Sequence, residues 1–422
     1  MGSDAGVIGR TTAQSRRNPF PYYLVLAYLF FEYGRPQAIF KPLEVLHLPA
    51  IIVILLVGAL AQVHRLFQRH HQTTLFIALL VLMAVHIPIA TNNFWAFHIA
   101  RTMLITFVAY LGIVVFINST EKFNTLIFMW LVIHGYLAIS GIIKGGRGVG
   151  GFMGDENDLC LVLNMAIPFP LFLALHETNK TRKILYFALT LLLFATVVAT
   201  VSRGGFIGLA AVGGYCWWRS KKKVVMALAV VTLAGFMFLI APSTYWDEIA
   251  SIRSAGEKHD TGGQRLYTWK IGWAMFLDNP ILGVGQGNFP FVFREYEIAT
   301  GNEKGFYGRS IAGRAAHSLY FTVLPEWGLV GTTLFGLMAW RTYKDVRFLR
   351  RVRMPSRELN DKMTAWSSAM EGSLVAYFVS GVFISVFYYP CFWTMMGFIG
   401  ALKNIVIVEQ MKTRLQVAGQ TT

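Results

Sequence analysis

The chain has 422 residues, of which 55% are apolar and only 14% charged, with a formal net charge of +16. Water-soluble domains usually carry about 25% charged residues, so this composition excludes an ordinary soluble fold. Nor does the positive charge point to nucleic acid, because the basic residues sit in short runs between apolar segments, where membrane topology calls for them.

Apolar runs long enough to cross a bilayer as helices recur along the whole chain. They are continuously apolar rather than alternating, which favours helices over a β-barrel. Residues 1–19 are polar, and the first apolar segment reads as an uncleaved anchor. Membrane helices are predicted at 20–33, 43–63, 74–90, 94–117, 122–143, 158–175, 183–201, 204–218, 224–241, 316–340, 373–389 and 391–409. The fold class is therefore an all-α polytopic membrane protein of about twelve helices. Residues 1–241 form the first nine, 242–315 one long loop domain, and 316–422 the last three with a tail.

Placing Arg10, Arg16 and Arg17 in the cytoplasm and alternating puts 23 Lys/Arg on that side against five in the opposite short loops. This asymmetry predicts an N-in, C-in topology. The long loop then lies outside, on the non-cytoplasmic side. Within it, 264–277 reads as an amphipathic helix stopped by Asp278-Asn279-Pro280, followed by a glycine-rich turn at 283–289. Loops of this length with aromatic and helical content usually carry function.

Several polar residues stand out against this background. Arg203 separates two apolar helices; arginine at membrane depth costs about 2.5–3.5 kcal/mol, so it faces a cavity or snorkels to an interface. Arg265 opens the loop helix, where a solvated side chain is the ordinary case. Arg101 lies about two turns into the fourth helix and is expected to be buried, lining a cavity or pairing with an acid. His317 begins the tenth helix; such a histidine is either structural or a proton acceptor. Glu326 falls in the same apolar run and calls for a partner. Asp155, Asn157 and Asp158 crowd the start of the sixth helix, where acids also suit the helix dipole.

Other patterns carry less. His64, His70 and His71 lack the thiolate or carboxylate of a zinc site, and the three cysteines Cys160, Cys216 and Cys391 read as packed thiols. No metal site is expected. Gly283-x-Gly285-x-Gly287 does not sit in a βαβ unit, and no Walker A motif occurs, so no nucleotide is expected.

Four stretches together resemble the O-antigen ligase family of bacterial envelope proteins. They are Gly151-Phe152 through Asn157, Ser202-Arg203-Gly204-Gly205, Arg265-x3-Trp269 with Asn279-Pro280 through Phe289, and His317-Ser318-x-Tyr320 with Glu326-x-Gly328-x2-Gly331. Asp155-Glu156-Asn157 stands where the family usually has Asn-Pro-Asn. The resemblance covers roughly 150–335, and the fold it implies is similar to that of GT-C-type membrane glycosyltransferases. It implies transfer of a glycan from undecaprenyl diphosphate to lipid A–core at the periplasmic face of the inner membrane, without a metal or other cofactor and with inversion. His317 is then the expected general base. Arg203 and Arg265 are the expected diphosphate ligands, with Arg101, Asn157 and Tyr320 as further substrate-binding candidates. An O-antigen polymerase, a protein O-oligosaccharyltransferase and, in a different class, a transporter are the competing readings.

Overall fold

A computed structural model describes residues 19–63, 71–220, 261–354 and 356–420, with scattered positions between 223 and 235. The predicted ninth helix (224–241), His64 and His70 fall largely or wholly outside the described residues. The described residues are mostly helical, with no β-strand among them. Among the described residues, eight helices are long and apolar enough to cross a membrane, which fits an all-α polytopic membrane protein.

Helix α1 runs over Phe20–Leu29 and ends in a π-turn at Phe30–Gly34. It is followed by α2 (Leu48–Ala61), α3 (His71–Ile89), α4 (Asn93–Phe116) and α5 (Thr120–Ile143). Then come α6 (Glu156–Ala166), α7 (Pro168–His176), α8 (Lys180–Ala199) and α9 (Arg203–Arg219). The long loop contributes α10 (Thr261–Asp278) and α11 (Phe289–Ala299), and the chain closes with α12 (Tyr320–Arg351), α13 (Arg357–Ser380) and α14 (Pro390–Gln420). Of the two loop helices, α10 was predicted and α11 was not.

Local chemistry starts many of these helices. Asn92, Ser119, Asp155, Asn179, Ser202 and Ser356 each accept a hydrogen bond from a backbone N–H one turn on. Each thereby satisfies one of the amides that a helix start leaves without a partner.

The predicted helix at 373–389 is corrected by the structure. The helix is α13, Arg357–Ser380, and the apolar run 381–389 forms turns instead. Hydropathy misplaced it because α13 is shielded by α7, α9 and α12 rather than by lipid. It can therefore carry buried polar groups. Glu371 on α13 accepts from Tyr215 Oη on α9 at 2.7 Å and pairs with Arg350 on α12 at 2.5 Å. A buried carboxylate is tolerable only with such partners. The predicted loop between the tenth and eleventh helices is likewise mostly helical, since α12 continues to Arg351.

A break in α12 positions the site. At Gly328 the backbone leaves the helix (φ 56°, ψ −159°), just after Pro325. Residues 280–285 of the loop lie across the gap. Leu329 and Val330 donate to the carbonyls of Pro280 (2.8 Å) and Ile281 (3.1 Å), while Val284 and Gly285 donate to those of Pro325 (2.9 Å) and Glu326 (3.0 Å). The chains approach so closely that a Cβ on Gly283 would stand 2.4 Å from the Glu326 carbonyl carbon, and Gly283 has φ 74°. Only glycine meets both demands without strain.

The Glu326 side chain completes the join. Its carboxylate accepts from the N–H groups of Gly287 (2.8 Å) and Phe289 (3.1 Å) and from the Tyr388 hydroxyl. Next to it, the Gln286 amide donates to the carbonyls of Met83 (2.9 Å) and Ala96 (3.2 Å), and its oxygen accepts from His86 Nδ1 at 2.8 Å. One turn of the loop is thus fastened to α3, α4, α12 and the 381–389 segment. Glu326→Ala would orphan two buried amides at about 1–3 kcal/mol each. A clearly lowered unfolding midpoint of the purified protein is expected, and an unchanged midpoint would remove this role.

Candidate active site

The loops at one end of the bundle gather around the head of α12. His317 lies there in a left-handed conformation (φ 48°), which costs a non-glycine residue about 1–3 kcal/mol and persists only where its surroundings impose it. Those surroundings are explicit. The Trp269 indole N–H on α10 donates to the Ala316 carbonyl (3.0 Å), and its ring stacks on Phe321 at 5.1 Å. Leu319 N–H donates to the Gly381 carbonyl (2.6 Å). The histidine is therefore held between the loop helix and the turn that follows α13.

The His317 ring is reachable by solvent, yet the surrounding protein partly desolvates it and so lowers its pKa from the ordinary histidine value. The charge of Arg265 lowers it further, Asp155 acts in the opposite direction, and Arg314 adds to the depression. Charges on three segments far apart in sequence therefore act on this imidazole. These segments are the start of α6, the start of α10 and the approach to α12. At neutral pH the ring is mainly unprotonated and can accept a proton.

Arg265 also lies over the Phe383 ring, its guanidinium carbon 5.9 Å from the centroid. Phe383 in turn packs against Gly204, where a Cβ would meet Phe383 Cβ at 3.1 Å. Phe383 thus links the neighbourhood of Arg265 to the start of α9, where Arg203 is the first helical residue. Ser202 caps that helix by accepting from Gly205 N–H (2.9 Å) and donates its own proton to Asn157 Oδ1 (2.7 Å). These two hydrogen bonds of Ser202 tie the starts of α6 and α9 together, and so tie Asp155 to the Arg203 break.

The remaining sequence candidates fall in different places. Asn157 sits at the site, but its side-chain oxygen is engaged with Ser202. Tyr320 is next to the site and donates its hydroxyl proton to the Phe378 carbonyl on α13 (3.0 Å). Arg101 was expected to be buried. It is instead exposed on α4, and no acid within ion-pair distance and no contact joining it to His317 is found among the described residues. Helix α4 buries the stripe of Ala96, Met103, Phe107 and Tyr110, and Arg101 lies off that stripe. Among the described residues no group of three or more His, Cys, Asp or Glu side chains could hold a metal ion.

Sequence reading missed the Trp269 clamp and the role of Tyr388 and Tyr389. Tyr388 reaches Glu326 and accepts from the Trp327 indole at 2.9 Å, while Tyr389 faces Asp158 and packs its ring on Phe152 at 5.5 Å. A Tyr-Tyr-Pro sequence beside an apolar run was the available signal, but it read as helix. Ser202→Ala would remove the cap of α9 and the tie to Asn157 together. It should cost about 1–2 kcal/mol of stability, while Asn157→Ala should keep the cap. Thermal unfolding of both variants measures this, and equal midpoints would contradict the double role.

Residues 188–336 match the family model described as O-antigen ligase. No match is found among curated proteins. The matched segment runs from α8 through the Arg203 break, α10, the glycine-rich turn and His317 to just beyond Glu326. It thus contains three of the four stretches that carry the resemblance, and the acids of α6 lie before it. Over this segment, about a third of the chain, the protein is similar to the O-antigen ligase family.

Proposed function

We propose that the chain is a glycosyltransferase that moves a glycan from undecaprenyl diphosphate onto lipid A–core at the periplasmic face of the bacterial inner membrane. The family match supports glycosyl transfer of the ligase or polymerase type. The observation that carries the finer reading is that Arg265 and Asp155 act electrostatically on His317 at one end of the bundle, with Arg265 over Phe383, the ring that packs on Gly204 beside the Arg203 helix start. A transporter would instead be expected to place its binding groups near the bilayer midplane.

In this reading the acceptor sugar hydroxyl gives its proton to the unprotonated nitrogen of His317. The oxygen attacks the anomeric carbon from the face opposite the diphosphate, a new carbon–oxygen bond forms, and the bond to the phosphate oxygen breaks. The diphosphate leaves with the electron pair. Arg203 and Arg265 are the groups to offset that charge, because the guanidinium fork matches phosphate oxygens. The phosphate–sugar bond supplies the driving force, so no nucleotide is required. Arg101, Asn157 and Tyr320 remain substrate-binding candidates at the periphery. The loop domain 242–315 and the helices on either side of it form the working unit.

The test is transfer by purified protein from undecaprenyl-diphosphate glycan to lipid A–core, with EDTA present throughout. Wild-type transfer that is lost in His317→Ala supports the proposal. Extension of the donor glycan, without transfer to lipid A–core, would make the protein a polymerase, and transfer to a protein acceptor would make it an oligosaccharyltransferase. The pH profile gives an independent check. A base of lowered pKa should keep activity until the pH falls below the ordinary histidine value of about 6.5. Arg314→Gln removes a repelling charge and should move the acid limb to higher pH, whereas Asp155→Asn should move it lower. Limbs that do not move would show that His317 is not the titrating group.

A further inference from the structure

At the end of the bundle away from His317, helices α5 and α8 part to leave a cavity of about 1450 Å3. They touch at Gly135, where a Cβ would stand 3.3 Å from Leu189 Cδ1, and beyond it where Thr196 donates to the Ala138 carbonyl at 3.2 Å. From there they diverge toward Asn124 and Arg182, and α13 closes the third side. The result is a wedge. Its walls are apolar, including Ile127, Leu131, Leu185 and Leu189, and both wall helices have the length and composition of membrane spans. The wedge therefore presents an acyl-compatible slot to the bilayer.

Its wide end is different. Arg182, Arg357 and Lys362 stand at the mouth, with Glu177, Glu358 and Asp361. The local acids are mostly engaged. Glu358 pairs with Lys362 at 2.6 Å, and Glu177 accepts from the backbone amides of Thr178 (2.9 Å) and Asn179 (3.0 Å). Among the described residues neither Arg182 nor Arg357 has an ion-pair partner. One helical turn deeper than Lys362, about 6 Å along the axis, lies Trp366, wholly buried behind the apolar wall and packed on Phe123.

A charge-bearing rim and an apolar slot beneath it follow the order of a phospholipid. We propose that this wedge binds an anionic glycerophospholipid, with its phosphate on Arg182 and Arg357 and an acyl chain between α5 and α8. The cavity exceeds the ~300–1,000 Å3 of ordinary small-molecule sites, which leaves room for a two-chain lipid. The mouth lies at the start of α8 and the Arg203 break just past its end, about 30 Å apart over twenty residues. The lipid therefore belongs to the leaflet opposite the transfer site, and the inference does not depend on the transfer reading.

Native mass spectrometry of the detergent-purified chain tests this, with phosphatidylglycerol, phosphatidylcholine, inorganic phosphate and undecaprenyl phosphate as probes. Phosphatidylglycerol should be retained about tenfold better than phosphatidylcholine, the effect of roughly one charge-assisted contact. The double variant Arg182→Ala/Arg357→Ala should lose that preference, while Arg353→Ala, outside the cavity, should keep it. Both arginines are exposed, so unfolding is not expected, and an unchanged melting midpoint would verify this. Equal retention of the two phospholipids, with no effect of the double variant, would overturn the proposal. So would displacement by inorganic phosphate alone, or by undecaprenyl phosphate at equal concentration, which would make the slot a polyprenyl groove.

Discussion

Backbone amides inside a membrane must find partners within the protein, since hydrocarbon offers none. This constraint governs α12. Pro325 and Gly328 interrupt its ladder, and the freed groups would be costly if left alone. They are paired instead with residues 280–285 of the long loop, while the Glu326 carboxylate takes the amides of Gly287 and Phe289. The loop is thereby part of the bundle rather than an appendage. The same turn reaches α3 and α4 through Gln286, so one broken helix sets the position of everything mounted on the loop.

The site follows from that mounting. Helix α10 can clamp the residue before His317 through Trp269 only because the loop is fastened further along. The clamp holds His317 in a strained backbone conformation, close to Arg265 and Asp155. Strain supported from several sides is a usual mark of a positioned functional group. The basic surroundings also suit the proposed chemistry, because they disfavour the imidazolium before reaction and attract an anionic leaving group.

The two ends of the bundle handle charge differently. At the end opposite the site, Glu371 is buried and pairs with Arg350, beside Tyr215 and with Arg219 at 3.9 Å, which locks α9, α12 and α13 together. At the site end the arginines stand at helix starts and loops, over an aromatic ring or beside an imidazole. The first arrangement gathers its charges into one buried cluster, whereas the second sets Arg265 over the Phe383 ring and within electrostatic reach of His317.

Much of the architecture was legible in the sequence because the bilayer imposes a simple rule. A helix facing lipid must be continuously apolar, and its ends are marked by capping Asn, Ser and Asp side chains. Hence α2 to α9 fall close to their predicted spans, and the breaks at Ser202-Arg203 and Asn279-Pro280 were visible as local chemistry. Hydropathy failed at α13 and 381–389, because it reports the solvent and not the neighbour. Helix α13 is surrounded by protein and can bury Glu371, while the apolar Val382–Tyr389 run turns back over the site. Arg101 failed for the complementary reason, since a charge in an apolar run does not say which face of the helix it occupies. The sequence by itself determined the class of fold, the helix breaks and the residue types able to bind a diphosphate and accept a proton. Which of them meet was decided only by the tertiary structure. Asp155 and Arg265 act electrostatically on His317 across many residues of sequence, and the loop that brings them into reach is fastened where a carboxylate and a tyrosine, Glu326 and Tyr388, find each other across the bundle.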